Sequence, residues 1–317
     1  MQTWVGIDVS METLDLGWLV GKEKRHVKVS NDKEGFQTIL SKVPAESMFV
    51  MEATGTYYFN LALYLSQMGC FVSVVNPFQT KSFMGSDLRR TKSDKTDAFV
   101  IAQFGTERRP DAWKPPAREV IEMQQLLALD ENLAQEMVRL KNIDHAFSRV
   151  DYHSPDAIVR TRELVNHLRR ERDRIQLELE CLAEKVAPRV IEILSSLPGV
   201  GRSSAIRIAA YVMDFHRFDS SRKLVSFLGL SPTTKQSGTS IKSLGHISRM
   251  GGAKVRSALY MCAMNALQLN PQCQRMWKRM KESKKHGKIL MVAIMVKMVR
   301  QMHSMVVHDR LYDPTFC

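Results

Sequence analysis

The hydrophobic pattern of the chain changes completely near residue 115, and this change restricts the possible folds more than any other feature. Residues 1–110 alternate short apolar runs with helix-like segments. Hairpin-like strands come first and strand–helix–strand units follow, an order that predicts a mixed sheet with helices on its faces. Pro110, Pro115 and Pro116 then interrupt the pattern. Because the rest of the chain is mostly helical, we expect an α/β domain followed by all-α structure.

Two long helices are predicted directly after the prolines. Apolar residues recur on one face from residue 118 to about 150 and again, with three- and four-residue spacing, from Pro155 to about residue 186. This spacing fits a coiled-coil-like hairpin and an ordinary packed pair of helices equally well. Pro188 ends the second helix, and a basic, mostly helical region begins at Ile191.

Positive charge is concentrated at one end of the 317-residue chain. Residues 1–200 contain 26 basic and 28 acidic side chains, whereas residues 201–317 contain 20 basic and 5 acidic ones. A basic block of this kind is typical of proteins that bind a polyanion, most often nucleic acid.

Composition also disfavours several other classes of protein. The five cysteines form no C-x-x-C pair, which argues against a disulfide framework and a zinc ribbon. The first residues show no basic-then-apolar leader, and charged residues interrupt the apolar stretch 289–307. We therefore expect a cytoplasmic protein that does not cross a membrane.

Four carboxylates stand at the ends or starts of predicted elements in the first domain. Asp8 and Glu52 end two strands, whereas Asp94 and Asp97 begin a helix with the i, i+3 spacing that places both on one face. Clustered carboxylates repel one another unless a cation neutralises them, and their hard oxygen atoms suit Mg²⁺ or Mn²⁺. Each acid alone also fits a turn or a helix cap. The four together favour a metal site that acts on a phosphodiester over the phosphate site of a sugar or actin-like kinase, because no second glycine-rich loop follows a strand.

The basic region contains a glycine turn between two helices, followed by clusters of cations. Gly199 and Gly201 precede a helix that carries Arg202 and Arg207, a pattern that fits either a phosphate-gripping helix-hairpin-helix or a tight helix–helix turn. The scarcity of acids near the later clusters favours backbone binding over a solvated helix face. The residues predicted to contact nucleic acid are Gly199, Gly201, Arg202, Lys235, Lys242, Arg249, Lys254, Arg256, Lys278, Lys284, Lys285 and Lys288.

These motifs, taken in order, resemble one protein family. Residues 6–10, 52–57, 75–77 and 92–98 are similar to the N-terminal half of the DEDD transposases, the insertion-sequence-110 family, to which the DNA invertase Piv belongs. The C-terminal domain of that family resembles residues 197–201, 227–232, 237–238, 249–252 and 258–260.

The resemblance implies a fold, a division into domains and a set of catalytic residues. The expected domains are a RuvC-like, RNase H-type catalytic domain (1–112), a coiled-coil helical hairpin (113–190) and a basic helical transposase domain (191–317). Asp8, Glu52, Asp94 and Asp97 would bind Mg²⁺ or Mn²⁺. Ser237 would be the nucleophile, although composition alone makes its segment a flexible loop.

The resemblance also implies a reaction and its partners. Such enzymes move an insertion sequence by joining donor and target DNA through a covalent phosphoserine, guided by an RNA from the element, as homodimers or homotetramers. The alternatives are a Piv-like invertase acting on fixed sites, a Holliday-junction-type nuclease that uses water, and a binder of nucleic acid without catalysis. Thr239, Ser240 and Ser243 lie near Ser237 and are alternative nucleophiles.

Overall fold

The computed structural model describes residues 3–53, 55–84, 94–233, 236–237, 241–242, 246–248, 251–283 and 286–315, of which residues 84, 94, 95, 236, 237, 241 and 242 are described by their backbone alone. The chain divides into two compact units, residues 1–115 and 116–317.

Unit 1 is a five-stranded mixed sheet with helices, as the alternating sequence pattern predicts. The strand order is β3-β2-β1-β4-β5, in which β1, β2 and β3 pair antiparallel while β4 and β5 run parallel to β1. Its elements are β1 (Trp4–Val9), β2 (Thr13–Val20), β3 (Glu23–Ser30), α1 (Lys33–Lys42), β4 (Met48–Glu52), α2 (Phe59–Gln67), β5 (Val72–Val75), α3 (Pro77–Met84) and α4 (Asp94–Arg108).

Helix α3 is the element of unit 1 that the sequence pattern failed to predict. In the sequence, the pair Asn76-Pro77 is typical of the end of a strand, here β5. Proline is equally suited to the first position of a helix, where no backbone N–H is required. Asn76 completes that start, because its side-chain Oδ1 accepts a hydrogen bond of 2.8 Å from the N–H of Phe78.

The segment after α4 belongs to unit 1 as far as residue 115. The N–H of Trp113 donates a 2.7 Å hydrogen bond to the carbonyl of Val72 in the edge strand β5. The ring of Trp113 also meets that of Phe59 edge-on, with 5.7 Å between the centroids. Unit 1 therefore extends to residue 115, and the domain boundary expected at residue 112 stays a prediction.

Unit 2 is helical except for two short β-ribbons. Its helices are α5 (Arg118–Phe147), α6 (Pro155–Val186), α7 (Pro188–Ser196), α8 (Arg202–Val212), α9 (Ser221–Phe227), α10 (Ala253–Leu269), α11 (Pro271–Glu282) and α12 (Gly287–Val307). The strands are β6 (Pro232–Thr233), β7 (Gln236–Ser237), β8 (Ile241–Lys242) and β9 (His246–Ile247), which pair as β6 with β9 and β7 with β8.

Helices α5 and α6 form an antiparallel hairpin. Two ion pairs join them, Asp144 to Arg162 at 3.0 Å and Asp130 to Arg172 at 2.7 Å. Between these pairs the residue number falls along α5 while it rises along α6, so the two helices run in opposite directions. At about 1.5 Å per residue each helix is about 45 Å long. The coiled-coil character of the hairpin stays a prediction.

The base of the hairpin shares its core with the basic helices. Met123, Ile175, Leu179 and Ala183 belong to the same buried cluster as residues of α7 to α12. The predicted boundary between residues 190 and 191 therefore does not coincide with a break in the core, and the division of unit 2 into two domains stays a prediction.

One helix in the part of the chain that the structure describes, α12, is long and apolar enough to cross a membrane. Ten of its residues, among them Leu290, Ile294 and Met298, are buried in unit 2. An apolar core helix of a globular unit has the same composition, as the sequence analysis expects for this stretch.

Candidate functional site

Asp8 and Glu52 lie side by side at one end of the sheet. The parallel register of β1 and β4 pairs Gly6 with Val50 and Ile7 with Met51, so the next step along it brings Asp8 opposite Glu52. Neighbouring strands are about 4.8 Å apart, and residues opposite each other point to the same face. The two carboxylates predicted from strand ends are therefore cross-strand neighbours.

Helix α4 lies on the face of the sheet to which both carboxylates belong. A Cβ placed on Gly6 would come within 2.1 Å of the Ala98 carbonyl and 2.3 Å of the Ala102 N atom, so α4 presses directly on β1 at this glycine. Side chains alternate along a strand, and Asp8 therefore shares the face of Gly6. Position 6 requires glycine because any side chain there would collide with the backbone of α4. The backbone angles of Gly6 do not impose this requirement.

The direction of α4 brings its acidic first turn to the end of the sheet where Asp8 and Glu52 lie, which we call the acidic corner. Gly105, late in the helix, lies against Trp4 at the start of β1, whereas Ala98 and Ala102 lie against Gly6. Two strand residues advance about 6.6 Å and a helix rises about 1.5 Å per residue, so the residues level with Asp8 come about four positions earlier in α4 than those level with Gly6. The first turn of α4, which contains Asp94 and Asp97, is therefore level with Asp8.

Two further residues, Thr80 and Asp15, lie next to the acids at this acidic corner, and neither was among the residues predicted from the sequence. Thr80 of α3 is fully buried and its Oγ1 donates a hydrogen bond to Oε1 of Glu52, which orients that carboxylate. Asp15, the residue opposite Asp8 on β2, is 5% exposed and pairs with His26 at 2.8 Å and Lys28 at 3.3 Å. A charged residue inside a strand-like run was the available signal for Asp15, whereas Thr80 lies in the helix that was not predicted.

The donor chemistry of the corner suits a hard divalent cation, since carboxylate oxygens are its preferred ligands. No three His, Cys, Asp or Glu side chains within the described ranges come close enough together to hold a metal ion by themselves. The side chains of Asp8, Glu52 and Asp97 lie within those ranges, so these three do not form such a group by themselves, whereas the side chain of Asp94 lies outside the ranges. The complete ligand set therefore stays a prediction.

Ser237 lies in a β-ribbon rather than in an irregular loop. Gln236 and Ser237 pair with Lys242 and Ile241 in one two-stranded sheet. Pro232 and Thr233 pair with Ile247 and His246 in a second one. The hydroxyl of Thr233 also donates to the carbonyl of His246, at 2.8 Å. Composition predicted a flexible loop because such short strands leave no hydrophobic alternation to recognise.

Gly251 and Gly252, which follow β9 in the sequence, contact residues of α8 and α9. The phenolic oxygen of Tyr211 in α8 accepts a hydrogen bond from the N–H of Gly252. A Cβ on Gly252 would lie 2.5 Å from the Tyr211 ring, and one on Gly251 would lie 2.3 Å from the carbonyl of Phe227. The glycine pair is therefore required for close packing of the ribbon against α8 and α9.

Two of the cations predicted to contact nucleic acid, Arg202 and Lys254, form ion pairs with acids of the hairpin, and so does Arg207 of the helix after the glycine turn. Arg207 lies 2.9 Å from Glu131 and 3.1 Å from Asp130 and is about one-fifth exposed, and Lys254 pairs with the same Glu131. Arg202 pairs with Glu184 at the surface. These three cations join α8 and α10 to the hairpin, a packing role that net charge alone does not reveal.

The glycine turn is also partly explained by packing. Gly199 has a φ of +103°, and a Cβ there would lie 2.7 Å from the backbone N of Ala266 in α10. Gly201 is the N-cap residue of α8, and a Cβ placed on it would meet no atom within 4 Å. A close approach by phosphate is therefore open at Gly201, while α10 takes the space beside Gly199.

The remaining predicted contacts fall into two groups. Lys278 and Lys288 are exposed on α11 and α12, and Arg256 donates a hydrogen bond to the carbonyl of Gly251. The other predicted residues lie outside the described ranges, in full or by their side chains: Lys235, Lys242, Arg249, Lys284 and Lys285.

Comparison with known proteins assigns both parts of the chain to transposases. A family model described as "Transposase", for the DEDD transposases of IS110, matches residues 5–147, and a second, described as "Transposase IS116/IS110/IS902 family", matches residues 191–278. Both the sheet-containing part and the basic part of the chain thus match models of transposases. The two models together cover well over half of the sequence, and the chain belongs to the IS110 family of transposases.

The chain is also similar to individual known proteins. The chain is 27% identical over 320 residues to the pilin gene-inverting protein of Moraxella bovis, with 98% of each chain covered, and equally similar to that of Moraxella lacunata. It is 31% identical over 147 residues to the uncharacterized 43.6 kDa protein of insertion element IS110 from Streptomyces coelicolor, which covers 46% of this chain and 34% of that protein. Among solved structures, RuvC of T. thermophilus in complex with a Holliday junction substrate matches 37% of this chain and all of RuvC, at 16% identity and a TM-score of 0.25.

Proposed function

We propose that this transposase cuts and rejoins DNA through a covalent bond between Ser237 and a DNA phosphate, in a reaction that requires Mg²⁺ or Mn²⁺ at the acidic corner of unit 1. The observation that carries the proposal is the cross-strand register that places Asp8 beside Glu52, with the first turn of α4 level with Asp8 at the same end of the sheet. The strand order supports a RuvC-like, RNase H-type domain.

The acidic corner is the natural place for the metal in this proposal. Asp8, Glu52, Asp94 and Asp97 would hold it, and Thr80 fixes the orientation of Glu52. A divalent cation bound there supplies positive charge that stabilises charge developing on the phosphate. Two carboxylates on neighbouring strands repel each other, and a divalent cation bound between them would reduce that repulsion.

The serine step exchanges one phosphate ester for another. The Ser237 hydroxyl gives up its proton to a base, its oxygen bonds to the phosphorus, and the bond from phosphorus to the 3′ oxygen of the DNA breaks. That oxygen takes up a proton and leaves as a 3′-hydroxyl. The ester energy is retained in the serine–phosphate bond, so rejoining requires no nucleotide triphosphate. A serine hydroxyl is a weak nucleophile, and therefore needs activation by a neighbouring base or cation.

The partners follow from the basic end of the chain. Exposed Lys278 and Lys288, together with cations of residues 201–317 other than those paired with the hairpin acids, would contact the phosphates of donor and target DNA. A guide RNA from the element would select these sites, and a homodimer or homotetramer in the cytoplasm would bring acids and serines together.

The deciding experiment asks whether the protein becomes attached to DNA. The purified chain is incubated with Mg²⁺, RNA transcribed from the flanking non-coding segment and end-labelled DNA of the element ends, and the products are separated under denaturing conditions. We expect a labelled protein–DNA adduct that is lost in Ser237→Ala and retained in Ser240→Ala, the matched control three residues later in the sequence.

The outcomes separate the mechanisms. Adduct retained in Ser237→Ala and lost in Ser240→Ala would move the nucleophile to Ser240. Cleavage without any adduct, unchanged in Ser237→Ala, would refute the serine mechanism in favour of attack by water. Loss of cleavage in Asp8→Asn and in the absence of divalent cation is expected under either mechanism, because both need the acidic corner.

Inversion of fixed DNA sites is the second candidate function. The near-complete coverage of two pilin gene-inverting proteins favours it. The reaction product decides between the two functions: inversion reverses a segment between inverted sites on one plasmid, while transposition joins the element to a separate target molecule.

A further inference from the structure

Arg217 lies over two aromatic rings in the loop that joins α8 to α9. The central carbon of its guanidinium group is 4.7 Å from the centroid of the Phe218 ring and 4.6 Å from that of the Phe227 ring. The two ring centroids are themselves 5.2 Å apart. An arginine stacked on aromatic rings has its planar group already oriented, so it loses little further freedom when it binds a ligand.

Arg217 forms no ion pair with an acid in the part of the chain that the structure describes, although two acids lie in the same loop. Asp219 pairs with Lys223, and Oδ1 of Asp214 accepts a 2.8 Å hydrogen bond from the N–H of His216. Burial lowers the pKa of Arg217, and the negative charge of Asp214 only partly opposes this change. That direction is expected of a cation without a bound anion. Arginine is protonated at neutral pH, so its donors remain available to an anion from outside.

The backbone is strained where this loop begins. Met213 has φ +61° and ψ −68°, and the N–H of Asp214 donates a 2.8 Å hydrogen bond to the carbonyl of Val212. This is the rarer form of the γ-turn, which is strained for a residue other than glycine. Met213 is 41% exposed, so burial of its side chain does not explain the turn. Strain of this kind is concentrated at functional sites, where it holds a segment in a defined position.

The rings below Arg217 connect it to the residues that follow β9. The ring of Phe227 is 5.5 Å from that of Tyr211, whose hydroxyl oxygen accepts a hydrogen bond from the N–H of Gly252. A Cβ on Gly251 would also lie 2.3 Å from the carbonyl oxygen of Phe227. Arg217 is therefore close to the point where the segment between β6 and β9, which contains the proposed nucleophile, returns to the helices.

We propose that Arg217 binds a phosphate of the DNA strand that is cut, close to the cut itself, an inference that rests on the proposed role of the segment between β6 and β9. A guanidinium donates two parallel hydrogen bonds to phosphate oxygens, which fix an orientation as well as a charge. Such a contact positions a strand without reading its sequence. Lys278 and Lys288 carry mobile point charges and would contribute attraction, whereas Arg217, held by Phe218 and Phe227, would orient the strand toward the attacking hydroxyl.

The first test measures the affinity of the full-length chain, bound to RNA from the flanking segment, for end-labelled DNA of the element ends. Divalent cation is omitted, so no strand is cut. Arg217→Met keeps an apolar side chain over the rings but removes the charge. We expect it to bind DNA about tenfold more weakly and to lower the slope of log affinity against log salt by about 0.9, the value for one phosphate contact.

Two further variants separate orientation from charge. Arg217→Lys should restore the salt slope but only part of the affinity, because an ammonium group lacks the planar fork. Arg170→Met, the matched control, removes the same charge from an exposed arginine of α6 and should change neither quantity. Equal affinity and salt slope in Arg217→Met and wild type, or equal losses in Arg217→Met and Arg170→Met, would overturn the proposal.

The second test locates the phosphate. Single phosphates of the DNA are replaced in turn by neutral methylphosphonates, and the affinity is measured for wild type and Arg217→Met. We expect one position, within a few nucleotides of the cut, at which wild type loses affinity and Arg217→Met does not, because its contact is already absent. Equal losses in both proteins at every position, a coupled phosphate far from the cut, or weaker binding of the RNA alone in Arg217→Met would overturn the assignment.

The proposal and the serine mechanism can fail separately. Both tests measure binding without cleavage, and we expect Ser237→Ala to bind DNA as wild type does. A coupled phosphate found for Arg217 supports the proposal even if the cut proves to be made by water, since the position of the cut is then read from the cleaved product.

Discussion

Gly6→Ala is the substitution that most directly tests how the acidic corner is built. The new Cβ would lie 2.1 Å from the Ala98 carbonyl oxygen and 2.3 Å from the N atom of Ala102, and both are backbone atoms that cannot rotate away. Ordinary contact distances are then restored only if α4 moves away from β1 by about 1 Å. Because Asp97 directly precedes Ala98, it would move away from Asp8 by a similar distance.

The expected cost can be stated for both stability and activity. Overpacking of this kind destabilises a protein by about 1–3 kcal/mol, and we expect the upper part of that range because α4 must move as a body. A displacement of about 1 Å in a catalytic group lowers the rate by about a hundredfold. Urea unfolding measures the first quantity, and the rate of Mg²⁺-dependent DNA cleavage by folded protein measures the second.

Gly17→Ala supplies the matched control. Gly17 pairs with Gly6 across β1 and β2 and faces the same helix, yet its Cβ would meet Phe99 N at 3.0 Å and the Ala98 carbonyl carbon at 3.1 Å. A shift of a few tenths of an ångström removes those contacts, so cleavage should fall by no more than a few-fold. Cleavage by Gly6→Ala at the wild-type rate, or equal losses in the two variants, would contradict the placement of α4.

Three further predictions concern unit 2. Arg207→Ala should lower the free energy of unfolding by about 2 kcal/mol, because it removes two charge-assisted hydrogen bonds to the largely buried carboxylates of Asp130 and Glu131. Arg202→Ala breaks an exposed ion pair and should cost less than about 0.5 kcal/mol, and urea unfolding measures both changes. Tyr211→Phe removes the acceptor for the Gly252 N–H, and should slow adduct formation about tenfold without changing DNA affinity; equal loss of affinity would refute a positioning role. Burial raises the pKa of the Cys273 thiol from 9.0 to about 11, so the folded chain keeps this proton when the unfolded chain has lost it. The stability that Cys273 contributes is therefore complete below pH 9 and falls by about 2 kcal/mol toward pH 11, a slope that Cys273→Ala should remove from the pH profile of urea unfolding.

Local sequence patterns were sufficient to predict features that depend on a single strand or helix. The strands ending in Asp8 and Glu52 were recognisable because buried apolar runs stop at an acid. Helices α5 and α6 were recognisable because their apolar residues repeat over many turns, and both have bounds close to those expected. Helix α3 escaped because proline fits both the end of a strand and the start of a helix.

Interactions between distant residues could not be read in the same way. Nothing in the neighbourhood of Arg207 shows that Asp130 and Glu131, more than 70 positions earlier, pair with it. Its charge favoured a role in binding phosphate, whereas packing of α8 against the hairpin gives it acidic partners. The same holds for Gly199, whose missing side chain admits α10.

By itself, the sequence determined the order of the elements, the placement of the acids at element ends and the concentration of positive charge after residue 200, because each depends on residues close together in the chain. Tertiary structure alone decided that Asp8 lies beside Glu52, that α4 runs with its acidic turn toward them, and which cations are taken up by ion pairs. These depend on strand register and on which backbone surfaces touch, and such contacts join residues that the chain keeps dozens of positions apart.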